Sequence, residues 1–66
     1  MKGFIEVTSK KYGFRRTIPL GEIKEINESN DGQTAEVITY VSKRSSYGFT
    51  TQESYNEVIN KIREAL

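Results

Sequence analysis

The sequence predicts a small α+β domain: an antiparallel meander of four or five short strands with one C-terminal helix packed on one sheet face. Through most of the chain, apolar residues alternate with polar ones, and Gly, Asn, Asp and Ser separate the alternating runs. Only the last segment changes to the helical spacing of three and four residues. The predicted elements, all in a single domain of residues 1–66, are strands at about 4–8, 14–20, 24–28, 34–42 and 47–51 and a helix at about 54–66.

The first two strands follow from short runs of β-prone residues. In the first strand, Ile5 and Val7 share one face. Turn-forming residues connect it to the second strand, which alternates from Phe14 to Leu20. Because Pro19 has no backbone N–H to give to a neighbouring strand, we expect it at a sheet edge, at a bulge or where the strand ends.

The segment Gly21–Glu28 is ambiguous. Ile23 and Ile26 are three residues apart, as in a helix, but the run is too short for a stable helix. We interpret it as a tight turn or bulge followed by the third strand. The following Asp31-Gly32 pair predicts a type I′ hairpin turn, in which both central residues take positive φ.

Residues 34–42 carry the strongest strand pattern. Val37 and Val41 lie on one face of this strand, and Ile38 and Tyr40 lie on the other. Apolar residues on both faces indicate a central strand. One helix covers only one face of a sheet, so we expect the other face to be exposed, covered by curling of the sheet, or buried by a second subunit. A fifth strand, 47–51, leads into the helix.

The C-terminal helix has one apolar stripe and two overlapping start signals. Ser54 with Glu57 forms a capping box, and Thr50 with Glu53 repeats the signal one turn earlier. We favour Ser54, because the periodic pattern begins directly after it. The fourth strand is expected to contribute Val37 and Val41 to the core, with Ile38 and Tyr40 as the alternative if its other face packs on the helix. The other residues expected on the helix side of the sheet are Ile5, Val7, Ile18, Leu20, Ile23, Ile26, Phe49, Val58, Ile59, Ile62 and Leu66.

The composition argues against catalysis and against metal or cofactor binding. The 66 residues include no Cys, no His and no Trp, so the commonest general base and the commonest metal ligand are missing. Glu22, Glu25 and Glu28 would align on a helix but separate on a strand, so we expect no metal site there. The net charge of +1 creates no global field. No stretch resembles a signal peptide or a membrane span, and we expect a cytoplasmic protein that is not an enzyme.

The first candidate surface is apolar and aromatic. It favours a non-catalytic protein-interaction module that forms a homodimer or joins a larger assembly through the sheet face opposite the helix, because small domains without disulfides often oligomerise. This candidate interaction surface consists of Ile38, Tyr40, Tyr12 and Tyr47.

The second candidate is a basic patch with interleaved aromatic residues. Such a patch binds nucleic acid when its cations pair with phosphates while Tyr12 or Phe14 stacks on bases. The plainer interpretation is a solvated hairpin whose charges protect a sheet edge, and the near-zero net charge favours it. The candidate basic patch consists of Lys10, Lys11, Arg15, Arg16, Lys43 and Arg44.

The tripeptide Tyr-Gly-Phe occurs twice, at 12–14 and at 47–49. Glycine and aromatic residues commonly punctuate hairpins, so we interpret the echo as turn chemistry. A duplication would require similarity beyond the triplet, which is missing.

Short strands followed by a helix with the pattern Glu53-Ser54…Glu57-Val58 resemble, in outline, the small bacterial proteins of the FlbD family. The segment Ile18-Pro19-Leu20 with Ile23 is also loosely similar to a segment of LytTR-type DNA-binding domains, which are longer and have loops with no counterpart here. These resemblances imply a topology and no functional residue.

Overall fold

The computed structural model describes residues 2–66 and contains five strands, a short 3₁₀ turn and one α-helix. The small α+β class with antiparallel strands and a C-terminal helix is therefore confirmed. Among the described residues, no helix has the length and apolarity needed to cross a membrane. The elements are β1 (Phe4–Thr8), β2 (Arg15–Pro19), the 3₁₀ turn (Leu20–Glu22), β3 (Ile23–Glu28), β4 (Ala35–Tyr40), β5 (Ser46–Thr51) and α1 (Tyr55–Ala65).

The strands are divided between two sheets, whereas the sequence pattern predicts one meander. A hairpin of β1 and β2 forms the first sheet, and β3, β4 and β5 form the second in that order. A single bridge between Ser9 and Thr51 connects the sheets. Two backbone hydrogen bonds flank it: the Lys10 N–H donates to the Thr50 carbonyl at 2.9 Å, and the Gln52 N–H donates to the Thr8 carbonyl at 2.8 Å. The ends of β1 and β5 therefore join the two sheets.

Both sheets and the helix contribute to one core. In the hairpin, Ile5 lies opposite Ile18. In the second sheet, Val37 lies between Ile26 and Phe49, which are its partners on either side. The helix packs mainly against β1 and also reaches β3 and β4. The buried apolar residues are Ile5, Val7, Ile18, Ala35, Val37, Val58 and Ala65, with Leu20, Ile23, Ile26, Phe49, Tyr55 and Ile62 packed around them.

Two residues expected in the core are exposed. Val41 is 68% exposed because β4 ends at Tyr40 and leaves it in the following turn. Leu66 is 81% exposed because it lies beyond the last helical residue. Ala65 is buried in its place, and its carbonyl accepts a hydrogen bond from the Gly3 N–H at 2.8 Å.

The helix begins as predicted. The Ser54 side chain accepts a hydrogen bond from the Glu57 N–H, and the Glu57 carboxylate accepts one from the Ser54 N–H, so the capping box is complete. The prediction for the third segment is also confirmed, because the 3₁₀ turn is followed by β3 with an irregular register between Ile23 and Glu25.

The prediction of a type I′ turn at Asp31-Gly32 is wrong, although the hairpin itself exists. Of the two central residues, Gly32 has positive φ (71°) and Asp31 does not, because no described non-glycine residue has positive φ. The Gly32 N–H donates to the Ser29 carbonyl, and the Ser29 N–H donates to the Thr34 carbonyl, which closes a longer loop. The Asp31 carboxylate organises this loop by accepting hydrogen bonds from the backbone N–H groups of Gln33 (2.9 Å) and Thr34 (3.1 Å).

We expect this loop to make the free energy of unfolding depend on pH in the acidic range. The hydrogen bond from the Gln33 N–H is the largest of the contacts that lower the pKa of the Asp31 carboxyl, to about 2. A lowered pKa in the folded state stabilises the protein above the unfolded pKa of about 3.9, and this stabilisation disappears as the pH falls toward 2. The difference in unfolding free energy between wild type and Asp31→Asn should therefore be full at neutral pH and shrink below about pH 4.

Urea unfolding at a series of pH values measures this difference. Glu64→Gln, which removes one exposed carboxylate from α1, controls for the change in net charge. A wild-type advantage over Asp31→Asn that stayed constant to pH 2 would contradict the prediction.

Candidate aromatic binding cleft

The two Tyr-Gly-Phe triplets line one cleft. Residues 12–14 precede β2 and residues 47–49 lie in β5, yet both border a single cleft of about 270 Å³. The bridge between Ser9 and Thr51 produces this arrangement, because it holds the β1–β2 turn against β5. We define the aromatic cleft by its side chains Tyr12, Phe14, Tyr47, Phe49, Lys11 and Arg16.

The first aromatic pair is presented by a tight turn. Gly13 has φ of 77°, a value that glycine adopts without steric cost, and its N–H donates to the Ser9 carbonyl at 2.9 Å. The Ser9 side-chain oxygen accepts a hydrogen bond from the Tyr12 N–H at 3.2 Å. In this turn the rings of Tyr12 and Phe14 stack with centroids 5.9 Å apart and planes 18° apart. The turn therefore presents the two rings as one stacked pair.

The second aromatic pair is presented by strand alternation. Tyr47 and Phe49 are two residues apart in β5, so their side chains leave the same face of the strand. Their rings stack with centroids 6.2 Å apart and planes 21° apart. Gly48 between them points to the other face, where a Cβ would lie 3.4 Å from a side-chain carbon of Ile38.

Two cations complete the cleft. The Arg16 guanidinium lies 4.4 Å from the centroid of the Phe49 ring, and the Lys11 ammonium lies 5.2 Å from that of Tyr12. Both distances allow cation–π attraction. No carboxylate from the described part of the chain lines the cleft. The local electrostatics therefore favour an anionic ligand, although the whole chain is nearly neutral.

Much of the aromatic surface is open to solvent. Tyr12 is 64%, Phe14 51% and Tyr47 50% exposed. Exposed apolar side chains that are scattered singly are ordinary, whereas these rings are gathered at one concave place, which makes the cleft the candidate site.

The four residues of the candidate interaction surface do not share one face of the sheet. Tyr47 lies opposite Thr39 in the register, so it shares the inner face of the second sheet. Tyr12 lies with it in the aromatic cleft. Ile38 and Tyr40 point to the outer face, away from the core. The expectation that all four contribute to one face is therefore corrected.

The outer face around Ile38 is largely polar. The Asn27 side-chain amide donates to the carboxylates of Glu25 (3.1 Å) and Glu36 (3.5 Å) across β3 and β4. Ile38 is half-buried and Tyr40 is 49% exposed. The apolar content of this face is therefore confined to one strand.

The candidate basic patch is divided into three groups. Lys11 and Arg16 line the aromatic cleft. Lys10 pairs with Asp31 at 3.2 Å, and Arg15, on the outward face of the hairpin, pairs with Glu6 at 3.7 Å. Lys43 and Arg44 border a separate depression, which we call the basic depression and which consists of Lys24, Tyr40, Lys43, Arg44, Ser45 and Ser46.

The sequence predictions missed two residues of these sites. Phe49 was assigned to the core alone, but its ring also faces the cleft beneath Arg16. Lys24 was not a candidate, because its place beside the β4–β5 turn depends on the irregular register of β3. The repeated Tyr-Gly-Phe triplet was the signal that could have identified Phe49.

No family model, no curated protein and no solved structure matches the chain. The resemblances to the FlbD family and to LytTR-type domains therefore stay predictions.

We expect the turn that presents Tyr12 and Phe14 to depend on Gly13. A Cβ at Gly13 meets open space, so Gly13→Ala tests the backbone conformation alone, and the positive φ should cost about 1–2 kcal/mol of unfolding free energy. Gly21→Ala is the matched control, because Gly21 is equally open but lacks positive φ. It should be neutral or stabilise by up to about 1 kcal/mol. Urea unfolding measures both, and equal effects of the two substitutions would refute the turn conformation.

Proposed function

We propose that the protein binds single-stranded nucleic acid in the aromatic cleft, in a non-catalytic, cytoplasmic role. The observation that carries the proposal is the convergence of two stacked aromatic pairs and two cations on one cleft without a carboxylate among its described lining residues. Aromatic rings stack on bases, and cations pair with the phosphates between them.

The energetics of such a site are set by stacking. Replacing a stacking aromatic residue by alanine typically costs about 1–3 kcal/mol per base, and every base has a π-face, so binding tolerates many sequences. With only Lys11 and Arg16 in the cleft, the electrostatic contribution is small. A protein with net charge +1 can therefore hold a strand locally without a general affinity for polyanions.

The geometry supports a single strand and not a duplex. In a duplex the faces of the bases are stacked on one another, so exposed rings such as Tyr12 and Phe14 have nothing to stack on. Proteins that read the groove of a duplex commonly do so with a helix that presents cations. The solvent side of α1 instead mixes Glu57 and Glu64 with Arg63.

The proposal predicts that loss of one ring in the cleft weakens binding. Phe14→Ala should raise the Kd for a fluorescein-labelled oligothymidylate by roughly 5-fold to 100-fold, measured by fluorescence anisotropy at low salt. Phe4→Ala is the matched control, because Phe4 is 42% exposed but points away from the core and the cleft. Its Kd should stay at the wild-type value.

The same titration identifies the class of ligand. Affinity for the oligonucleotide should fall as salt rises, because counterions are released on binding. Absence of binding at low salt, or equal losses in Phe14→Ala and Phe4→Ala, would overturn the proposal. A proline-rich peptide that bound through Phe14 while the oligonucleotide did not would make the cleft a peptide site instead.

A second candidate is self-association through the outer face of β3, β4 and β5. The observation that favours it is the exposed apolar surface at the end of β4, where Tyr40 is 49% and Val41 is 68% exposed. Sedimentation equilibrium over a wide concentration range should then show a dimer that Tyr40→Ser dissociates. A monomer at every concentration would eliminate this candidate and leave the nucleic-acid proposal intact.

A further inference from the structure

We infer that a bound strand continues from the aromatic cleft to the basic depression, so that the nucleic-acid site is one track around the end of the β4–β5 hairpin. The inference rests on the proposed function and assigns different tasks to the two ends. The aromatic cleft stacks bases, and the basic depression holds phosphates.

The track is continuous because each depression shares lining residues with the next one. A connecting depression of about 400 Å³ lies between β2 and the ends of β4 and β5. Arg16 and Tyr47 line both this depression and the aromatic cleft. Tyr40 lines both the connecting depression and the basic depression. A strand that leaves the cleft beside Tyr47 therefore meets Tyr40 next.

The charges of the basic depression suit phosphate. Lys24, Lys43 and Arg44 border a space of about 100 Å³, and none of its described lining residues is acidic. The ion pairs found within residues 2–66 join Lys10 to Asp31 and Arg15 to Glu6, so these three cations have no carboxylate within salt-bridge distance. Exposed cations without a carboxylate partner can pair with a phosphate without first breaking an existing ion pair.

Hydrogen bonds order the backbone of the turn after β4, which carries two of these cations. The backbone N–H groups of Val41 and Ser42 both donate to the Ser45 carbonyl, at 3.1 and 3.3 Å, and the hydroxyls of Ser42 and Ser45 lie 2.8 Å apart. Lys43 and Arg44 lie at the tip of this closed turn and are exposed. Serine hydroxyls beside them are further donors for phosphate oxygens.

One carboxylate borders the track. Glu22 lines the connecting depression, as Pro19 and Tyr40 do. Its charge repels a phosphate that passes there, so removal of the charge strengthens binding of a strand that occupies the whole track. A ligand confined to the aromatic cleft does not meet Glu22, because Glu22 does not line that cleft.

The experiment compares oligothymidylates of about 3 and about 12 nucleotides, since the short one fills only the aromatic cleft. In the double variant Lys43→Ala/Arg44→Ala, the Kd of the long oligonucleotide should rise on the order of tenfold, and the slope of log K against log salt should fall in magnitude by about 1.4. The Kd of the short one should stay within about twofold, since its phosphates do not reach the basic depression. Glu22→Gln should lower the Kd of the long oligonucleotide only.

A double variant on the helix, Lys61→Ala/Arg63→Ala, is the matched control, because it removes the same charge away from the track and should change neither Kd. Equal affinities and salt slopes for the long oligonucleotide in wild type and Lys43→Ala/Arg44→Ala overturn the track and leave the cleft proposal standing. The track is also overturned, and the cleft proposal stands, if Lys61→Ala/Arg63→Ala loses as much affinity for the long oligonucleotide as Lys43→Ala/Arg44→Ala. Failure of both oligonucleotides to bind wild type overturns the proposed function itself.

Discussion

The junction between the ends of β1 and β5 is the constraint on which the rest of the structure depends. Thr51 is fully buried there, and its hydroxyl donates to the carbonyl of Glu53 at 2.9 Å, while the Glu53 carboxylate accepts the Thr8 N–H at 2.9 Å. These contacts join the two sheets and lead the chain into α1. They also hold the β1–β2 turn against β5, which is the arrangement that forms the aromatic cleft.

The fully buried side chains of the core are small, and the aromatic rings lie outside it. The largest fully buried side chains are Val7, Val37, Val58 and Thr51, whereas none of the 3 Phe and 4 Tyr residues is buried. A fully buried ring would bring about 150–250 Å² into the core, which a domain of this size would normally use for stability. Here the rings lie mainly around the cleft and its continuation. In the proposed function, that placement makes the rings available to a ligand.

Local patterns determined the elements, and long-range contacts determined the site. The capping box at Ser54 and the exit at Pro19 involve neighbouring residues only, so the sequence predicts them well. The bridge from Ser9 to Thr51 joins distant residues and leaves no periodic signal. The prediction for the face of Tyr47 is wrong for a different reason: strand alternation places Tyr47 on the same face as Phe49, which the sequence already assigns to the core. The interpretation of the repeated Tyr-Gly-Phe triplet as turn chemistry accounts for Gly13, which lies in a tight turn. It does not predict that the two triplets line one cleft.

Arg16 shows how the core and the cleft are made compatible. It lies opposite Val7 on the inward face of the hairpin, where a charge without a partner would be costly. The Phe49 ring provides that partner, at 4.4 Å, and the guanidinium in turn covers one side of the ring at the border of the core. Cation–π attraction does not neutralise the charge, so the outward side of the guanidinium stays available for an anion. The residue that closes the core at this end is therefore also the one best placed to hold a phosphate between the cleft and its continuation.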